Sequence, residues 1–394
     1  MKSLRKLSKL ILKYKKIMKT SFPNYPPLLL FFFITLIIFP SSVISQKANI
    51  SKKQLRLGVI GLVHDHVSWI LNREKEDVSI VGIVETNKTA IAKYQKRYKL
   101  HDSLFFETYA ALYSKVNLDA VSAFNETKEH LEVVKFFAPK GIPIMVEKPM
   151  AANYNEALEM ARLSKKYEVP LLVNYETSWY KSTYEAKKIM TQNMVGNLTK
   201  MVFNTGHPGP VEIGCSPEFL SWLTDPVLNG GGALTDFGCY GANIATWLLE
   251  GETPLHVSCI AKQSKPKLYP KVDDDTTIVL EYEKIQVIIQ ASWNWSHNRK
   301  DMQIYGSQGY INCINGNEME LMTIEKEGVK THQPASISNY QKDPFRLLYE
   351  VVYENRIMEP NGLYSVENNL IVSKILTLAT LAAEKKQSIP WDTL

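Results

Sequence analysis

The fold class predicted is α/β followed by α+β: a doubly wound parallel sheet, then a domain built on a mainly antiparallel open sheet. Two patterns carry this. Between Leu55 and Asn174 short apolar runs of strand character alternate with helical stretches, and uninterrupted apolar strands are those that crossover helices bury on both faces. After about residue 176 the runs show partly alternating polarity with few helices between them, as in a sheet with one packed and one solvated face. A third observation sets the N-terminus apart. Twelve apolar residues, Leu28 to Phe39, follow a lead rich in Lys and Arg.

That apolar run is shorter than the ~20 residues a membrane-spanning helix needs. With its basic lead, and with Pro40, Ser41 and Ser42 behind it, the run fits a secretory signal. Val43 and Ser45 suit positions −3 and −1, so residues 1–45 read as a signal peptide cleaved before Gln46, and the protein as exported to the periplasm or beyond. The 27-residue lead is long, and a start at Met18 gives a more ordinary signal. No cysteine follows the run and no Arg-Arg pair precedes it, which speaks against a lipid anchor and against twin-arginine export. No stable membrane insertion is expected after cleavage.

Eight of the 46 Lys and Arg, and none of the 40 Asp and Glu, lie in residues 1–45. The remainder therefore carries 38 basic and 40 acidic residues, and the pI of 8.8 belongs to the signal. Nothing in that balance favours nucleic acid or an anionic surface as partner. The four cysteines, Cys215, Cys239, Cys259 and Cys313, show no C-x-x-C spacing. A zinc site or redox pair is not indicated, although one disulfide is compatible with an oxidising compartment.

In order, residues 55–62 read as a buried strand ending in a glycine turn, 66–75 as helical and 78–85 as a second strand. Strand–helix units follow at 120–124 with 128–137 and at 143–147 with 155–167, and 171–174 closes the series. This alternation is that of a Rossmann domain, placed at residues 46–175. Strands at 202–205, 257–261, 276–282, 287–293, 302–305 and 319–325, with a helix at 367–386, make up a second domain over residues 176–394. A homo-oligomer through its sheet is expected.

A Rossmann turn reads G-x-G-x-x-G, the later glycines leaving room for pyrophosphate and for the helix. Here Gly61 stands first, but Val63 and His66 occupy the other two positions. His64 or His66 offers a donor to a phosphate oxygen, the alternative being that both cap and pack the helix start. A metal at His64-x-His66 lacks a third ligand at this spacing. Glu85 ends the second strand 24 residues after Gly61, where an acid binds the adenosine ribose and repels a 2′-phosphate, favouring NAD over NADP. Its alternative is a polar residue that merely ends a strand.

Two further segments carry chemistry. One is Glu147-Lys148-Pro149. The other, Gly230-Gly-Gly-Ala-Leu-Thr-Asp236-Phe-Gly-Cys-Tyr240-Gly241, begins 81 residues after Pro149 and opens a helix over 233–250. Asp236 and Tyr240 are four apart and share a helix face. In this order the segments resemble the Gfo/Idh/MocA oxidoreductase family, which has an E-K-P motif after its dinucleotide-binding domain and a G-G-G-x-x-x-D-x-G-x-[HY] segment in its second domain. The resemblance covers the chain from about Leu55 onward. It implies that Lys148, Asp236 and Tyr240 form the catalytic group, with Glu147 and Lys148 also near the cofactor. Lysine, by a pKa lowered on burial, or tyrosine, by one lowered beside that lysine, is expected to take the alcohol proton. The residues alone do not choose between them.

The run Ala291–Lys300 puts Trp293 and Trp295 on one side of a strand with Arg299 and Lys300 just beyond. Aromatic faces stack on sugar rings and guanidinium pairs with carboxylate, while the alternative is a core tryptophan and a solvated basic turn. His207, in the loop Gly206-His-Pro-Gly-Pro210, and Asn174 and Trp179 at the domain junction are further substrate candidates. Asp273, Asp274 and Asp275 read as a solvated turn rather than a calcium run. The expectation is an exported NAD-dependent oxidoreductase acting on a sugar, uronic acid or polyol, in the breakdown of an environmental polysaccharide. Its alternatives are a redox-neutral NAD-dependent glycosidase and a cofactor-free sugar-binding module.

Overall fold

The computed structural model describes residues 53–394 apart from Lys75; the signal peptide read in residues 1–45 lies outside the described residues. Six parallel strands form the first sheet, in the order β3-β2-β1-β4-β5-β6. They are β1 (Leu55–Ile60), β2 (Val78–Val84), β3 (Phe105–Phe106), β4 (Ala120–Ala123), β5 (Ile144–Glu147) and β6 (Leu171–Asn174). The strand order is that of a Rossmann sheet, whose ligands lie beyond the carboxyl ends of the strands where the order reverses, here between β1 and β4. Gly61, Glu85 and Lys148 all sit just past such ends.

Five helices belong to this half: α1 (Ser68–Leu71), α2 (Lys88–Tyr98), α3 (Tyr109–Lys115), α4 (His130–Phe137) and α5 (Tyr154–Tyr167). The helix expected over 66–75 shrinks to a 3-10 turn at Asp65–Val67 and the single turn α1. Beyond it Arg73 turns away to Asp77 and Asp343, both at 2.7 Å. A helix this short has little dipole to offer a phosphate.

The second sheet has nine strands in the order β14-β13-β12-β11-β7-β10-β9-β8-β15. These run β7 (Leu198–Gly206), β8 (His256–Lys262), β9 (Asp275–Glu281), β10 (Gln286–Ser292), β11 (Arg299–Gly306), β12 (Gly309–Cys313), β13 (Met319–Thr323), β14 (Lys326–His332) and β15 (Ile389–Pro390). All neighbours are antiparallel except β7 and β10. Its helices are α6 (Lys181–Thr191), α7 (Pro217–Leu223), α8 (Pro226–Asn229), α9 (Ala233–Leu248), α10 (Pro344–Tyr353) and α11 (Val366–Lys385). Among the described residues no helix is long and apolar enough to cross a membrane, and all four cysteines are free thiols.

Helix α9 positions the second half of the site. Every residue of it is buried, as suits a helix without a polar stripe. Gly241 lets it lie close on the sheet, since a Cβ there would stand 2.7 Å from Ile289. Its start has no cap of its own. Asp273 supplies one, accepting from the N–H groups of Gly232 at 2.9 Å and Leu234 at 2.7 Å, where a carboxylate satisfies orphan donors and the helix dipole together. Asp274 is fully buried and accepts from Ser264 and Lys265 N–H. Asp273 and Asp274 thus act as a brace, not the solvated turn expected, because four backbone donors needed partners.

Gly61 is fixed by sterics: its φ is +83° and a Cβ would stand 2.7 Å from the Asn125 backbone. Gly61→Ala is expected to destabilise the protein by roughly 1–3 kcal/mol in urea denaturation, through left-handed strain and a backbone clash.

Candidate active site

The turn after β1 holds the first group of candidates. Gly61 N–H donates to Val84 O, and Leu62 N–H to Glu85 Oε2 at 2.7 Å. The other Glu85 oxygen accepts from Thr86 and Asn87 N–H. Glu85 therefore clamps the ends of β1 and β2 together. A carboxylate has about four acceptor sites, so one is left for a ribose hydroxyl.

The residues that replace the glycines are fastened to helix α7. Trp222 Nε1–H donates to Val63 O at 3.3 Å, and the Phe219 and Trp222 rings pack on His64 at 4.9 and 5.6 Å. Asp65 accepts from Ser216 N–H at 3.0 Å and from its hydroxyl at 2.7 Å. Among the described residues, the N–H groups of Val63 and Asp65 and the buried Nε2 of His64 have no partner. Nδ1 of His64 accepts from His66 N–H, so Nε2 carries the ring hydrogen. Three unspent donors at this turn fit an anionic dinucleotide, and they do so without the missing glycines. Burial, then His66 and Lys148, push His64 well below the ordinary imidazole pKa, so its ring stays neutral.

His66, His64 and Glu147 bring three nitrogen and oxygen atoms within 4.8 Å of one another. Glu147 is thus the third neighbour that the His64-x-His66 spacing did not reveal. The cluster is wired by protons: His66 Nδ1 lies 2.9 Å from Glu147 Oε2, and Asn174 Nδ2 donates to Glu147 Oε1 at 2.7 Å. Glu147 faces these two side chains, not Lys148, its neighbour in sequence.

Lys148 and Asp236 meet across the two sheets at 2.5 Å, each with a side chain only 5% exposed. Trp293 Nε1–H donates to the second carboxylate oxygen at 3.0 Å. The lowered lysine pKa expected from burial is overturned. Burial lowers it, but Asp236 outweighs burial and the net shift is upward. Burial likewise raises Asp236, and Lys148 more than reverses it. The pair is ionised, and Lys148 has no lone pair to offer. The Tyr240 ring lies near two cations, 5.3 Å from Lys148 Nζ and 5.5 Å from Lys300 Nζ. The expected lowering of the phenol also fails. Burial, then the Glu176 carboxylate, hold it well above 10, so Tyr240 is a neutral donor.

His207 borders the same cleft, edge-on to Phe237 at 4.8 Å. Its Nδ1 accepts from Gly209 N–H at 3.0 Å, and burial lowers it to about 4. Trp179 Nε1–H donates to Asn174 Oδ1, so Asn174 is spent on orienting Glu147 and Trp179. The paired-tryptophan platform does not form. β10 ends at Ser292, Trp293 is 0% exposed in the core, and Trp295 donates to Thr205 O under the Arg299 guanidinium at 4.4 Å. Arg299 is itself paired with Asp301 at 2.8 Å. Sequence reasoning passed over the ion pair Glu176–Lys300, at 2.5 Å beside Tyr240, because nothing local links residues so far apart.

Replacing Lys148 with Met leaves a buried, unpaired carboxylate and is expected to cost about 3–5 kcal/mol in denaturant unfolding; the double variant Lys148→Met/Asp236→Asn should recover part of it. The pair's stabilisation is present from above the unfolded carboxylate pKa to below the unfolded lysine pKa, and is lost only at the two extremes. Acid sensitivity near pH 5 has another source. His130 bonds Met150 O, behind the Lys148–Pro149 turn, and burial holds it at about 4. Between 6.5 and that value the unfolded chain binds a proton that the folded one refuses, so stability falls as pH drops. The melting temperature should decline across this window, and less steeply in His130→Asn.

Comparison with known proteins agrees with this geometry. Residues 55–175 match the model of an oxidoreductase family with NAD-binding Rossmann fold, and residues 183–312 match the GFO/IDH/MocA C-terminal domain. The trans-1,2-dihydrobenzene-1,2-diol dehydrogenase of Xenopus tropicalis is 24% identical over 207 residues, 52% of this chain and 58% of that protein. The rhizopine catabolism protein MocA of Rhizobium meliloti is 25% identical over 154 residues, 38% and 43% of the two chains. The match thus spans about half the length of these relatives. Among solved structures, the aldose-aldose oxidoreductase of Caulobacter crescentus complexed with glycerol superposes with a TM-score of 0.72 at 20% identity, over 86% of this chain and 100% of that one. An inositol dehydrogenase homolog from Azotobacter vinelandii complexed with NAD+ gives 0.73 at 13% identity, over 86% and 97%. At such identities these two likenesses speak for the fold. The matched domains, in the order the motifs foretold, show that the chain belongs to the Gfo/Idh/MocA oxidoreductase family, with an NAD-binding Rossmann fold as its first sheet.

Proposed function

We propose that the protein is an NAD-dependent dehydrogenase that oxidises a secondary alcohol of a sugar, uronic acid or polyol. The observation that carries this is the buried Lys148–Asp236 pair beside the Tyr240 phenol, at the carboxyl ends of the parallel strands. A fixed cation and a neutral donor on one side of a cleft polarise an alcohol oxygen and stabilise the charge that grows on it. Gly61, Val63, His64, Asp65 and Glu85 would hold the dinucleotide, and bound NAD+ supplies the hydride acceptor. The three donors at the turn receive phosphate oxygens and Glu85 a ribose hydroxyl. The names of the relatives, a diol dehydrogenase and an inositol dehydrogenase homolog, support an alcohol with neighbouring hydroxyls.

Work outside the cytoplasm, on products of polysaccharide breakdown, is part of the proposal and rests on the apolar run at 28–39. Free nicotinamide is scarce there, so a cofactor retained between turnovers suits the reading. The fastening of Val63, His64 and Asp65 to helix α7 supports retention.

The test is turnover with NAD+ on a panel of aldoses, uronic acids, inositols and glycosides. NADH should accumulate in proportion to substrate consumed, and Tyr240→Phe should lower kcat about tenfold or more while leaving the melting temperature unchanged, as the loss of one transition-state donor predicts. An aglycone released without net NADH would instead identify a redox-neutral glycosidase. In calorimetry NAD should bind more tightly than NADP, and Glu85→Ala should narrow the difference. Equal affinities in the parent protein remove Glu85 from the ribose.

A further inference from the structure

The cleft beside the Lys148–Asp236 pair holds a second ion pair, to which the reaction gives no task. Lys300, on β11, meets Glu176, just past β6, at 2.5 Å. The two pairs differ in access. Lys148 is shut in, with a side chain 5% exposed, whereas those of Lys300 and Glu176 are 22% and 33% exposed. Glu176 also accepts from the Tyr180 hydroxyl at 2.5 Å, so both its oxygens are engaged. Among the described residues Lys300 Nζ makes no hydrogen bond besides the one to Glu176. An ammonium has three donors, and two are therefore unspent.

This ammonium stands beside the reacting group on two counts. Its Nζ lies 5.5 Å from the centre of the Tyr240 ring, and Lys148 Nζ lies 5.3 Å from the same centre. Around the Phe237 ring, stacked on Tyr240 at 5.8 Å, stand Lys300 Nζ at 6.0 Å, Lys148 Nζ at 5.9 Å and the His207 ring at 4.8 Å. The backbone agrees. Lys300 is opposite Thr205 in the register of β11 on β7, and Thr205 Oγ1 donates to Phe237 O. Opposite residues share a face, so Lys300 leaves the sheet on the side that α9 covers.

What is left open here is one-sided. Gly209 N–H donates to His207 Nδ1, so Nε2 carries the ring hydrogen. That Nε2 bonds no protein group among the described residues and is not walled off from solvent. The same holds for the Tyr240 hydroxyl, which with Lys148 serves the alcohol oxygen. A neutral sugar asks for acceptors as well as donors, because each hydroxyl carries its own hydrogen. A carboxylate asks for donors alone. The unspent groups are donors, two on Lys300 and one on His207.

We propose that Lys300, held by Glu176 and joined by His207, is a subsite for a carboxylate on the substrate, and that the enzyme acts on sugar acids in preference to the parent aldoses. This deepens the dehydrogenase reading above and rests on it. The acid group takes the free Lys300 and His207 donors while the alcohol oxygen sits at Tyr240 and Lys148, and one uronate unit bridges the two cations. Two carboxylate oxygens match the two donor groups, whereas a sulfate ester brings a third oxygen with no donor left for it. Glu176 acts as a positioning residue, keeping the lysine turned toward the Tyr240 ring.

The test compares a uronate with its parent aldose, which differ only at C6, on the full protein with NAD+. We expect kcat/KM for the uronate to exceed that for the aldose at least about tenfold, the lower end for hydrogen bonds to a charged group. Most of the preference should lie in KM and should shrink as salt rises, because Lys300 is partly exposed. Lys300→Met should bring the ratio close to one. Since that change strands Glu176, the double variant Lys300→Met/Glu176→Gln is measured beside it and should lose the preference equally. Arg299→Gln, one residue along β11 and on its other face, should leave the ratio in place. An ion pair that only joins the two sheets would lower the melting temperature of Lys300→Met and leave the ratio untouched. That result overturns the proposal while the dehydrogenase reading stands, as do parity of uronate and aldose in the parent, preference for a sulfated aldose over the uronate, or an equal loss in Arg299→Gln. Calorimetry with NAD present separates the two readings. A parent protein that reduces no NAD+ on any substrate loses the dehydrogenase reading, yet uronate binding abolished by Lys300→Met still carries the subsite; no uronate binding ends the subsite as well.

Discussion

The Lys148–Asp236 ion pair is the constraint on which the rest depends. Two opposite charges, both out of water, are stable only if they meet closely and their other valences are filled. Lys148 lies just past the end of β5 and Asp236 in the first turn of α9, so the pair sets the distance between the two sheets. The surroundings answer that requirement: Trp293 fills the second carboxylate oxygen, Gly241 brings α9 down onto β10, and Asp273 caps the helix so that its start can be buried. Each of these is a stabilising contact, and each fixes where the lysine cation stands in the cleft.

Much of the architecture was legible because it rests on periodicity. Apolar runs buried on both faces marked β1, β2, β4, β5 and β6 to within a residue or two, and alternating runs marked most of the second sheet. Elements set by tertiary contact were not legible. The helix expected after His66 fails because Trp222, Phe219 and Ser216, some 150 residues away, engage Val63, His64 and Asp65. The residues of the site were legible as motifs, while their electrostatics were not. Burial alone argued for a lowered lysine, and only the 2.5 Å approach of Asp236 shows that pairing outweighs it. Trp293 looked like a binding platform because tryptophan is amphipathic, and it proves to be the donor that keeps Asp236 aligned.

The altered fingerprint shows how a motif can be lost without losing its logic. Glycines at such a turn expose backbone donors to phosphate. Here two backbone donors are still unspent, and a buried histidine adds a third. The side chains that replace hydrogen atoms are not idle, since they weld the turn to α7 of the second half. The exchange trades an open approach for a fastened one, as the proposed retention of the cofactor requires.

The β1 turn and the end of β5 hold their charged groups in different ways. A group that must stay charged is best locked to its counter-ion, and a ring that lines a cofactor turn is best held by a carboxylate behind it. Lys148 meets the first condition through Asp236, and His66 meets the second through Glu147. The residues adjacent in sequence, Glu147 and Lys148, therefore point to different partners. The Glu-Lys-Pro motif acts less as a pair than as a junction. Its glutamate holds a ring in the first sheet's turn, and its lysine anchors a permanent charge against the second sheet's helix.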